Sequence, residues 1–276
     1  MISNPFLLFR DWITQHRLGA FVLVTFGWSW AWDGVYYALG WWSSLPTTLP
    51  RQWGVPLGAL VVIWASDVTV RSWLARRLQW RLHPGLYFIA LLVPLGITNA
   101  QPVVRALGGG SVRYAPPAPL SLVVLFLLAN ALLLGGIEEL GWRGFLQPRV
   151  QQHTSVLTAG VLIGVLWWTW HLPLFLGHPN FSPDPLFVVQ YTVFVIGAST
   201  VFGAFVNVTG GRVLPLMLMH ASVNVGALLE GSGGVLGDSE VLPLVIGSGA
   251  WWLLVLVLVI LFGPTMVPKS DINPVS

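Results

Sequence analysis

The sequence contains no cysteine and very little charge. Without cysteine, the chain has no disulfide, no thiol nucleophile, no cysteine-ligated metal and no site for palmitoylation or prenylation. Charged residues make up 8% of the 276 residues, against roughly 25% in a typical soluble domain. Hydrophobic residues make up 55%, and the mean hydropathy is +0.75. The outside of such a chain must face lipid, which excludes the soluble, disordered and nucleic-acid-binding classes.

Long apolar runs predict an all-α, polytopic membrane protein with about eight transmembrane helices. A transmembrane helix needs about 20 mostly apolar residues. The first apolar run is too long for a signal peptide. Because the links between the runs are short, we expect a single integral-membrane domain over residues 1–276. The predicted spans are 18–41, 54–70, 85–104, 119–142, 155–177, 185–207, 211–230 and 241–262.

The positions of the thirteen lysine and arginine residues predict the orientation, because basic residues accumulate on the cytoplasmic side. With the amino terminus inside, the outer segments hold Arg51, Arg105 and Arg113. The ten basic residues of the inner segments are Arg10, Arg17, Arg71, Arg76, Arg77, Arg81, Arg143, Arg149, Arg212 and Lys269. We therefore expect both termini to be cytoplasmic. The stretch 71–81 combines four of these arginines with tryptophan and leucine, a pattern typical of a segment lying on an anionic leaflet.

Ionisable residues inside a membrane span are costly, so each needs a reason. The densest group is Glu138, Glu139 and Arg143. Glu139 and Arg143 are four residues apart and can pair on one helix face, whereas Glu138 lies about 100° away around the helix. One carboxylate is then neutralised and the other is left as a plausible general base. The simpler alternative is a span end whose charges lie in headgroup water.

Two histidines lie well inside predicted spans. Trp167 and His171 are four residues apart, so the indole can pack against the imidazole. Pro173 disfavours helical geometry at the residue before it, so the helix should bend near His171. His220 and Asn224 also share a face, and two donors there suit a developing oxyanion. Taken singly, each pair is equally explained by a polar contact between helices. Solvent exposure at loops or span ends explains His16, His83, His153 and His178.

Taken together and in this order, the three motifs resemble those of the type II CAAX prenyl endopeptidase and bacteriocin-processing family of intramembrane proteases. Glu138-Glu139-x-x-x-Arg143-Gly144 resembles its E-E-x-x-x-R-G motif. Trp167-x-x-x-His171 resembles its F-x-x-x-H motif, with tryptophan in place of phenylalanine. His220-x-x-x-Asn224 resembles its H-x-x-x-N motif. The motif-bearing core covers about residues 119–230.

The resemblance implies an endopeptidase that hydrolyses a peptide bond near the membrane interface. Glu138 would activate a water molecule, His171 would hold and polarise it, and His220 and Asn224 would stabilise the tetrahedral oxyanion. Structural support would come from Glu139, Arg143 and Trp167. The partners would be the lipid bilayer and a peptide or prenylated-protein substrate, with no nucleic acid. Prenylated C-terminal peptides and leader peptides are both substrate themes of the family, and the sequence does not distinguish them.

Whether a metal takes part stays open. Zinc hydrolases use three protein ligands plus water, and one Glu with two His matches such a set in Glu138, His171 and His220. The sequence has no H-E-x-x-H, in which two histidines one turn apart pre-form a zinc site. Glu139 is also better placed to pair with Arg143 than to act as a separate base. We therefore favour a metal-free site and keep a divalent metal such as zinc as the alternative.

The site assignment imposes a geometric condition. Glu138 lies late in the fourth span and His171 lies late in the antiparallel fifth span. They can meet only if the fourth helix continues past Arg143, to about Gln151, and the fifth bends near His171. We predict this arrangement. The fourth helix would then be about 48 Å long at 1.5 Å per residue. The resulting cavity is expected to open to the cytoplasmic side.

Two other classes remain as alternatives. A non-catalytic membrane scaffold or bacteriocin self-immunity factor could keep the fold, although the intact candidate residues argue against a dead enzyme. A proton-coupled transporter could use buried Glu and His, but no inverted repeat is visible in the sequence. Asp33, Asp67 and Glu230 receive no chemical role: Asp33 could hydrogen-bond across helices, and the other two fit span ends.

Overall fold

Helices make up most of the described structure. The computed structural model describes residues 5–42, 49–98, 119–229 and 244–268, together with residues 100, 104 and 107. Within these ranges no residue belongs to a strand, and the all-α prediction is confirmed. The predictions made for Arg105, Arg113, Glu230 and Lys269 lie outside the described residues. In chain order the helices are α1 (Pro5–Gln15), α2 (Arg17–Ala38), α3 (Leu49–Gln52), α4 (Gly54–Ala65), α5 (Val70–Arg77), α6 (Pro84–Thr98), α7 (Leu120–Gln151), α8 (Val156–His171), α9 (Pro185–Val208), α10 (Leu214–Leu229) and α11 (Gly249–Phe262).

Each of the eight predicted spans overlaps one of these helices. Among the described residues, four helical segments are long and apolar enough to cross a membrane, and α6 and α10 are apolar but shorter. Large apolar side chains on α7 and α11, such as Leu125 and Ile260, stay exposed. These side chains face lipid in an integral membrane protein. The four long segments are Leu120–Gln151, Val156–Leu176, Pro185–Val208 and Ile246–Thr265.

Small residues let two helix pairs approach closely. A Cβ atom at Gly160 of α8 would lie 2.7 Å from the Cα of Thr200, and one at Gly164 would lie 2.8 Å from the Cα of Ile196, both on α9. The spacing Gly160-x-x-x-Gly164 is the small-residue pattern that membrane helices use for close packing. Gly54 and Gly58 of α4 repeat this pattern against α2. These two tight pairs hold the frame around the motif-bearing α7.

Helix α7 is interrupted in its middle. Residues Leu120–Leu133 are α-helical, and Leu134 then leaves helical geometry with φ −108° and ψ −130°. The chain re-enters through a 3₁₀ turn at Gly135–Glu138 and continues through a π turn at Trp142–Leu146 to Gln151. The predicted continuation past Arg143 is confirmed, and so is the bend after His171, where a 3₁₀ turn replaces the α-helix. The segment is not regular over its whole length, because the backbone turns at the Gly135-Gly136 pair.

One end of the bundle, here called the arginine end, collects the starts and ends of several helices. Arg10 donates to the carbonyl of Ala65 at 3.0 Å, and Arg77 donates to the carbonyl of Gly211 at 3.1 Å. These contacts bring together the end of α1, the α4–α5 link and the α9–α10 link. The described arginines in these segments are Arg10, Arg17, Arg71, Arg76, Arg77, Arg81, Arg149 and Arg212.

Two arginines counted above as orientation markers are not at a membrane surface. Arg143 is fully buried inside the bundle, and Arg51 is 1% exposed. Both pair with carboxylates of the protein, so neither reports on membrane orientation. The eight other described arginines all lie at the arginine end.

Candidate active site

A polar cavity of about 520 Å³ lies inside the bundle, between α7, α8, α9 and α10. Glu138, His171, His220 and Asn224, the four residues proposed for catalysis, all line it. The structure therefore brings together on one cavity the three motifs that are separated in sequence. Aromatic side chains form much of the remaining wall: Phe126, Trp167, Phe181, Tyr191, Phe194 and Phe202.

The Gly135-Gly136 pair positions Glu138 against α10. A Cβ atom at Gly135 would lie 2.5 Å from Nδ2 of Asn224 and 2.7 Å from Nε2 of His220. A Cβ atom at Gly136 would lie 2.7 Å from the carbonyl oxygen of Met217. Only glycine allows the backbone to run this close to α10 without displacing it. The 3₁₀ turn that follows ends at Glu138, whose side chain is almost completely buried.

Trp167 holds the Glu138 carboxylate. The indole Nε1 donates to Oε2 of Glu138 at 3.1 Å. Its ring also contacts the rings of His171 and His220, at centroid distances of 5.7 and 5.3 Å. The family motif has phenylalanine here, which cannot donate a hydrogen bond. The substitution in this sequence therefore adds a direct polar contact to the candidate base.

Glu139 is the centre of a buried charge network. Its carboxylate lies 3.1 Å from Nη1 of Arg143, as the helix spacing predicts. It also accepts a hydrogen bond from Nδ1 of His220 at 2.7 Å, a contact that the sequence analysis did not predict. Nη2 of Arg143 continues the network to the hydroxyl of Ser199 at 2.9 Å. Glu139 is therefore paired with both Arg143 and His220, and the carboxylate without an ion pair is Glu138.

Hydrogen bonding defines what each histidine offers to the cavity. Nδ1 of His171 donates to the carbonyl oxygen of Trp167 at 2.7 Å, because a carbonyl oxygen only accepts. The neutral ring of His171 then keeps Nε2 as an acceptor. Nδ1 of His220 is held by the Glu139 carboxylate, so Nε2 of His220 donates when that ring carries both protons.

Asn224 is oriented by a residue that received no role in the sequence analysis. Its Nδ2 donates to Oδ1 of Asn130 at 3.0 Å, and Asn130 also lines the cavity. A Cβ atom at Gly135 would touch both Nδ2 of Asn224 and Nε2 of His220. These two nitrogen atoms therefore converge on one region. That convergence is the arrangement that an oxyanion site requires.

Arg51 is a cavity residue that sequence reasoning placed in an outer loop. Its Nε donates to Oδ1 of Asp33 at 2.7 Å, and its guanidinium lies 3.6 Å from the centroid of the Trp170 ring. Burial lowers the pKa of Arg51, and the Asp33 charge opposes that shift. The signal in the sequence was Asp33, because a carboxylate inside a span demands a nearby cation. The suggested hydrogen bond from Asp33 across helices is thus present.

His178 also differs from expectation. Solvent exposure was the expected explanation for it, but the side chain is only partly exposed and lines the cavity. Its ring contacts Trp42 and Phe181 at centroid distances of 5.4 Å each. Burial lowers the pKa of His178, and the charge of Arg51 acts in the same direction. His178 is therefore a neutral hydrogen-bonding group near pH 7.

The cavity lies towards the end of the bundle opposite the arginine end. Its lining includes Arg51, which precedes α4, and His178, Asn180 and Phe181, which follow α8. Arg149 and Gln152, at the far end of α7, line a different cavity. Since α7 continues for 13 residues beyond Glu138, Glu138 is not at the arginine-rich end. The predicted cytoplasmic opening and the orientation predicted from the arginines are therefore incompatible.

The metal alternative can be compared with the donor atoms that line the cavity. Among the described residues, no three His, Asp or Glu side chains are grouped closely enough to hold a metal ion. Glu138, His171 and His220 line the same cavity, and each has one polar atom held by a protein partner. Oε1 of Glu138 and Nε2 of each histidine are the atoms that a metal would contact, and a metal-ligating histidine commonly donates its other ring nitrogen in this way. The metal-free site therefore stays a prediction.

Comparisons with known proteins agree with the motifs. Residues 119–226 match the family model of type II CAAX prenyl endopeptidases described as Rce1-like. A relative from Methanococcus maripaludis, described as CAAX prenyl protease 2, is 47% identical over 51 residues. That alignment covers 18% of this chain and 18% of the relative. The family resemblance drawn from the motifs is confirmed for the region that carries them.

Proposed function

We propose that this integral membrane protein, whose motif region matches the Rce1-like type II CAAX prenyl endopeptidases, is an intramembrane endopeptidase. The reaction is hydrolysis of a peptide bond in the polar cavity, with Glu138 as general base. One observation carries the proposal: Glu138, His171, His220 and Asn224 line one buried cavity, while the adjacent Glu139 is neutralised by Arg143 and His220.

The proposed chemistry uses only groups of this chain. Glu138 takes a proton from a water molecule, whose oxygen attacks the carbonyl carbon of the substrate. Nε2 of His171 accepts a hydrogen bond from that water and orients it. The negative charge that develops on the carbonyl oxygen is stabilised by Nε2–H of His220 and Nδ2–H of Asn224. Glu138 then delivers its proton to the leaving nitrogen as the carbon–nitrogen bond breaks, which completes hydrolysis.

The decisive variant is Glu138→Gln. Glutamine keeps the shape of the side chain and an oxygen that can accept from Trp167, but it cannot take a proton at neutral pH. We expect cleavage to fall by about 10²–10⁴-fold, the usual contribution of a general base. The measurement is hydrolysis of a quenched peptide panel, prenylated and unprenylated, by wild type and variant purified side by side. Equal cleavage by both would reject Glu138 as the base.

The same panel addresses the substrate and the metal. A preference for prenylated peptides would support CAAX-type processing, and a preference for unprenylated peptides would support leader-peptide processing. We propose that cleavage survives exhaustive dialysis against a chelator. Loss of cleavage that zinc restores would overturn the metal-free reaction and would place Glu138, His171 and His220 as candidate ligands.

We propose that the cavity opens on the non-cytoplasmic face and that the arginine end is cytoplasmic. The support is the arginine distribution, because basic residues are retained on the cytoplasmic side. The absence of native cysteine allows a clean test with Asn180→Cys beside the cavity and Gln152→Cys at the arginine end. In intact cells a membrane-impermeant maleimide should label the first and spare the second. The reverse labelling would invert the orientation.

A further inference from the structure

A second cavity, also of about 520 Å³, lies at the arginine end, between the start of α2, the end of α4, helix α5 and the end of α7. It is here called the arginine cavity. It shares no lining residue with the cavity that contains Glu138. Its polar lining is Thr14, Gln15, His16, Arg17, Arg76, Arg77, Arg149, Gln152 and His153, and its apolar lining includes Leu18, Ile63 and Val68.

Positive charge is uncompensated in the arginine cavity. Four arginines line it, and none of the described residues in its wall is Asp or Glu. Elsewhere in the described chain, the buried Arg51 and Arg143 each pair with a carboxylate. Clustered guanidinium groups repel one another, so a folded protein that retains such a cluster needs an anion from outside or strong hydration.

Two of these arginines are anchored by backbone atoms. Nη1 of Arg77 donates to the carbonyl of Gly211, while its buried Nε has no hydrogen-bond partner. Nη1 of Arg149 donates to the carbonyl of Phe145 at 2.7 Å, and its guanidinium lies 3.7 Å from the centroid of the Phe145 ring. Each guanidinium is thus held in place with further N–H donors unspent, which is the preorganisation that phosphate recognition uses.

The charges around Arg77 agree with the need for an anionic partner. Burial lowers the pKa of Arg77 to about 10, and the positive charge of Arg76 acts in the same direction. The negative charge of a bound anion would oppose both effects. A second observation is geometric and independent of the pKa. The buried Nε of Arg77 has no hydrogen-bond partner, and the cavity that Arg77 lines is large enough for a phosphate and its attached glycerol.

We propose that the arginine cavity binds the phosphate group of an anionic phospholipid. A lipid source is favoured over free phosphate because Leu18, Ile63 and Val68 line the same cavity. The cavity also lies where helices end, and exposed apolar side chains of the adjoining α1, such as Phe6 and Phe9, offer a surface for acyl chains. Arg77 and Arg149 contact the phosphate, and Arg17 and Arg76 complete the positive rim. This inference does not rest on the proposed peptidase activity.

The test is lipid retention by purified full-length protein. Delipidated protein is incubated with phosphatidylglycerol or phosphatidylcholine vesicles, repurified, and assayed for bound lipid by native mass spectrometry. We expect phosphatidylglycerol to be retained in preference to phosphatidylcholine. Each removed arginine should weaken retention about five-fold, as expected for one charge at a lipid surface. The double variant Arg77→Gln/Arg149→Gln should therefore lose most of the bound lipid.

Matched variants separate binding from general effects of charge. Arg71→Gln removes a charge from the same helix α5 at an exposed position outside the cavity, and it should retain lipid like the wild type. Arg76→Gln removes an exposed rim arginine with little risk to folding and should weaken retention. Arg77→Lys should recover part of the binding lost in Arg77→Gln, because the charge is restored without the planar fork.

Three results would overturn the proposal. The first is equal retention of phosphatidylglycerol and phosphatidylcholine by the wild type. The second is a loss of lipid in Arg71→Gln as large as in Arg76→Gln, which would indicate general surface attraction. The third is competition by inorganic phosphate at the same concentration as the lipid, which would identify a free phosphate rather than a headgroup as the ligand.

Discussion

Two cavities in the described part of this protein have similar volumes and opposite charge organisation. Around the cavity that contains Glu138, the lining residue Arg51 is paired with Asp33, and the lining residue His220 shares Glu139 with Arg143. In the arginine cavity, four arginines are present with no carboxylate among the described lining residues. Internal pairing leaves the first cavity close to neutral apart from Glu138, whereas the like charges of the second must be balanced by water or by an external anion.

This difference separates two uses of charge in a membrane protein. A buried charge network that is complete within the protein can orient a reactive carboxylate without attracting counter-ions. A group of like charges at a helix end is stable only beside solvent or an anionic leaflet. The comparison predicts that the same kind of substitution, arginine to glutamine, has different consequences in the two cavities.

The largest expected contrast is in stability. Arg143→Gln leaves the buried Glu139 without its cation, so we expect a loss of about 3–5 kcal/mol in the free energy of unfolding. Arg76→Gln removes one of several like charges at an exposed position, so a change within about 0.5 kcal/mol is expected. The measurement is unfolding of both variants in the same detergent. Similar losses in the two variants would remove the distinction between the cavities.

The next contrast is within the catalytic cavity. Asn224→Ala removes a proposed oxyanion donor, and we expect kcat/KM to fall by about 10²–10³-fold. Asn130→Ala removes only the group that orients Asn224, so a fall of about ten-fold is expected, equivalent to one hydrogen bond. Peptide cleavage by the two variants measures the ratio. A larger effect of Asn130→Ala would make Asn130, rather than Asn224, the residue that contacts the substrate.

The smallest contrast concerns Trp167. Trp167→Phe restores the residue usual in the family and removes the hydrogen bond to Glu138, so we expect kcat to fall by roughly ten-fold. Trp168→Phe is the matched control, because Trp168 is adjacent but does not line the cavity. The two variants are compared by cleavage rate across pH. An unchanged rate and pH profile in Trp167→Phe would reduce Trp167 to a packing role.

Much of the fold follows from the sequence because membrane spans leave a strong signal. Long apolar runs located the helices, and the four-residue spacing of Glu139 and Arg143 predicted their ion pair. The requirement that Glu138 and His171 meet predicted the continuation of α7 and the bend after α8. Local rules of helix geometry and burial were sufficient for the spans and the ion pair, whereas the shape of α7 and α8 followed from the site assignment.

The parts that the sequence did not predict depend on tertiary packing. Arg51 looked like a loop residue, and only the fold shows that it reaches Asp33 inside the bundle. The contact between His220 and Glu139 joins residues 81 positions apart. The need for glycine at Gly135-Gly136 is visible only once α10 is in place, because Asn224 and His220 of that helix lie against the backbone there. The face on which the cavity lies depends on all of these contacts together.

The most direct test of the account measures cleavage and lipid retention on the same preparations of Glu138→Gln and Arg77→Gln/Arg149→Gln. The separation of the two cavities predicts that Glu138→Gln loses peptide cleavage and keeps phosphatidylglycerol. The double arginine variant should lose the lipid and keep the cleavage. Loss of both properties in both folded variants would contradict the claim that the two cavities serve different functions.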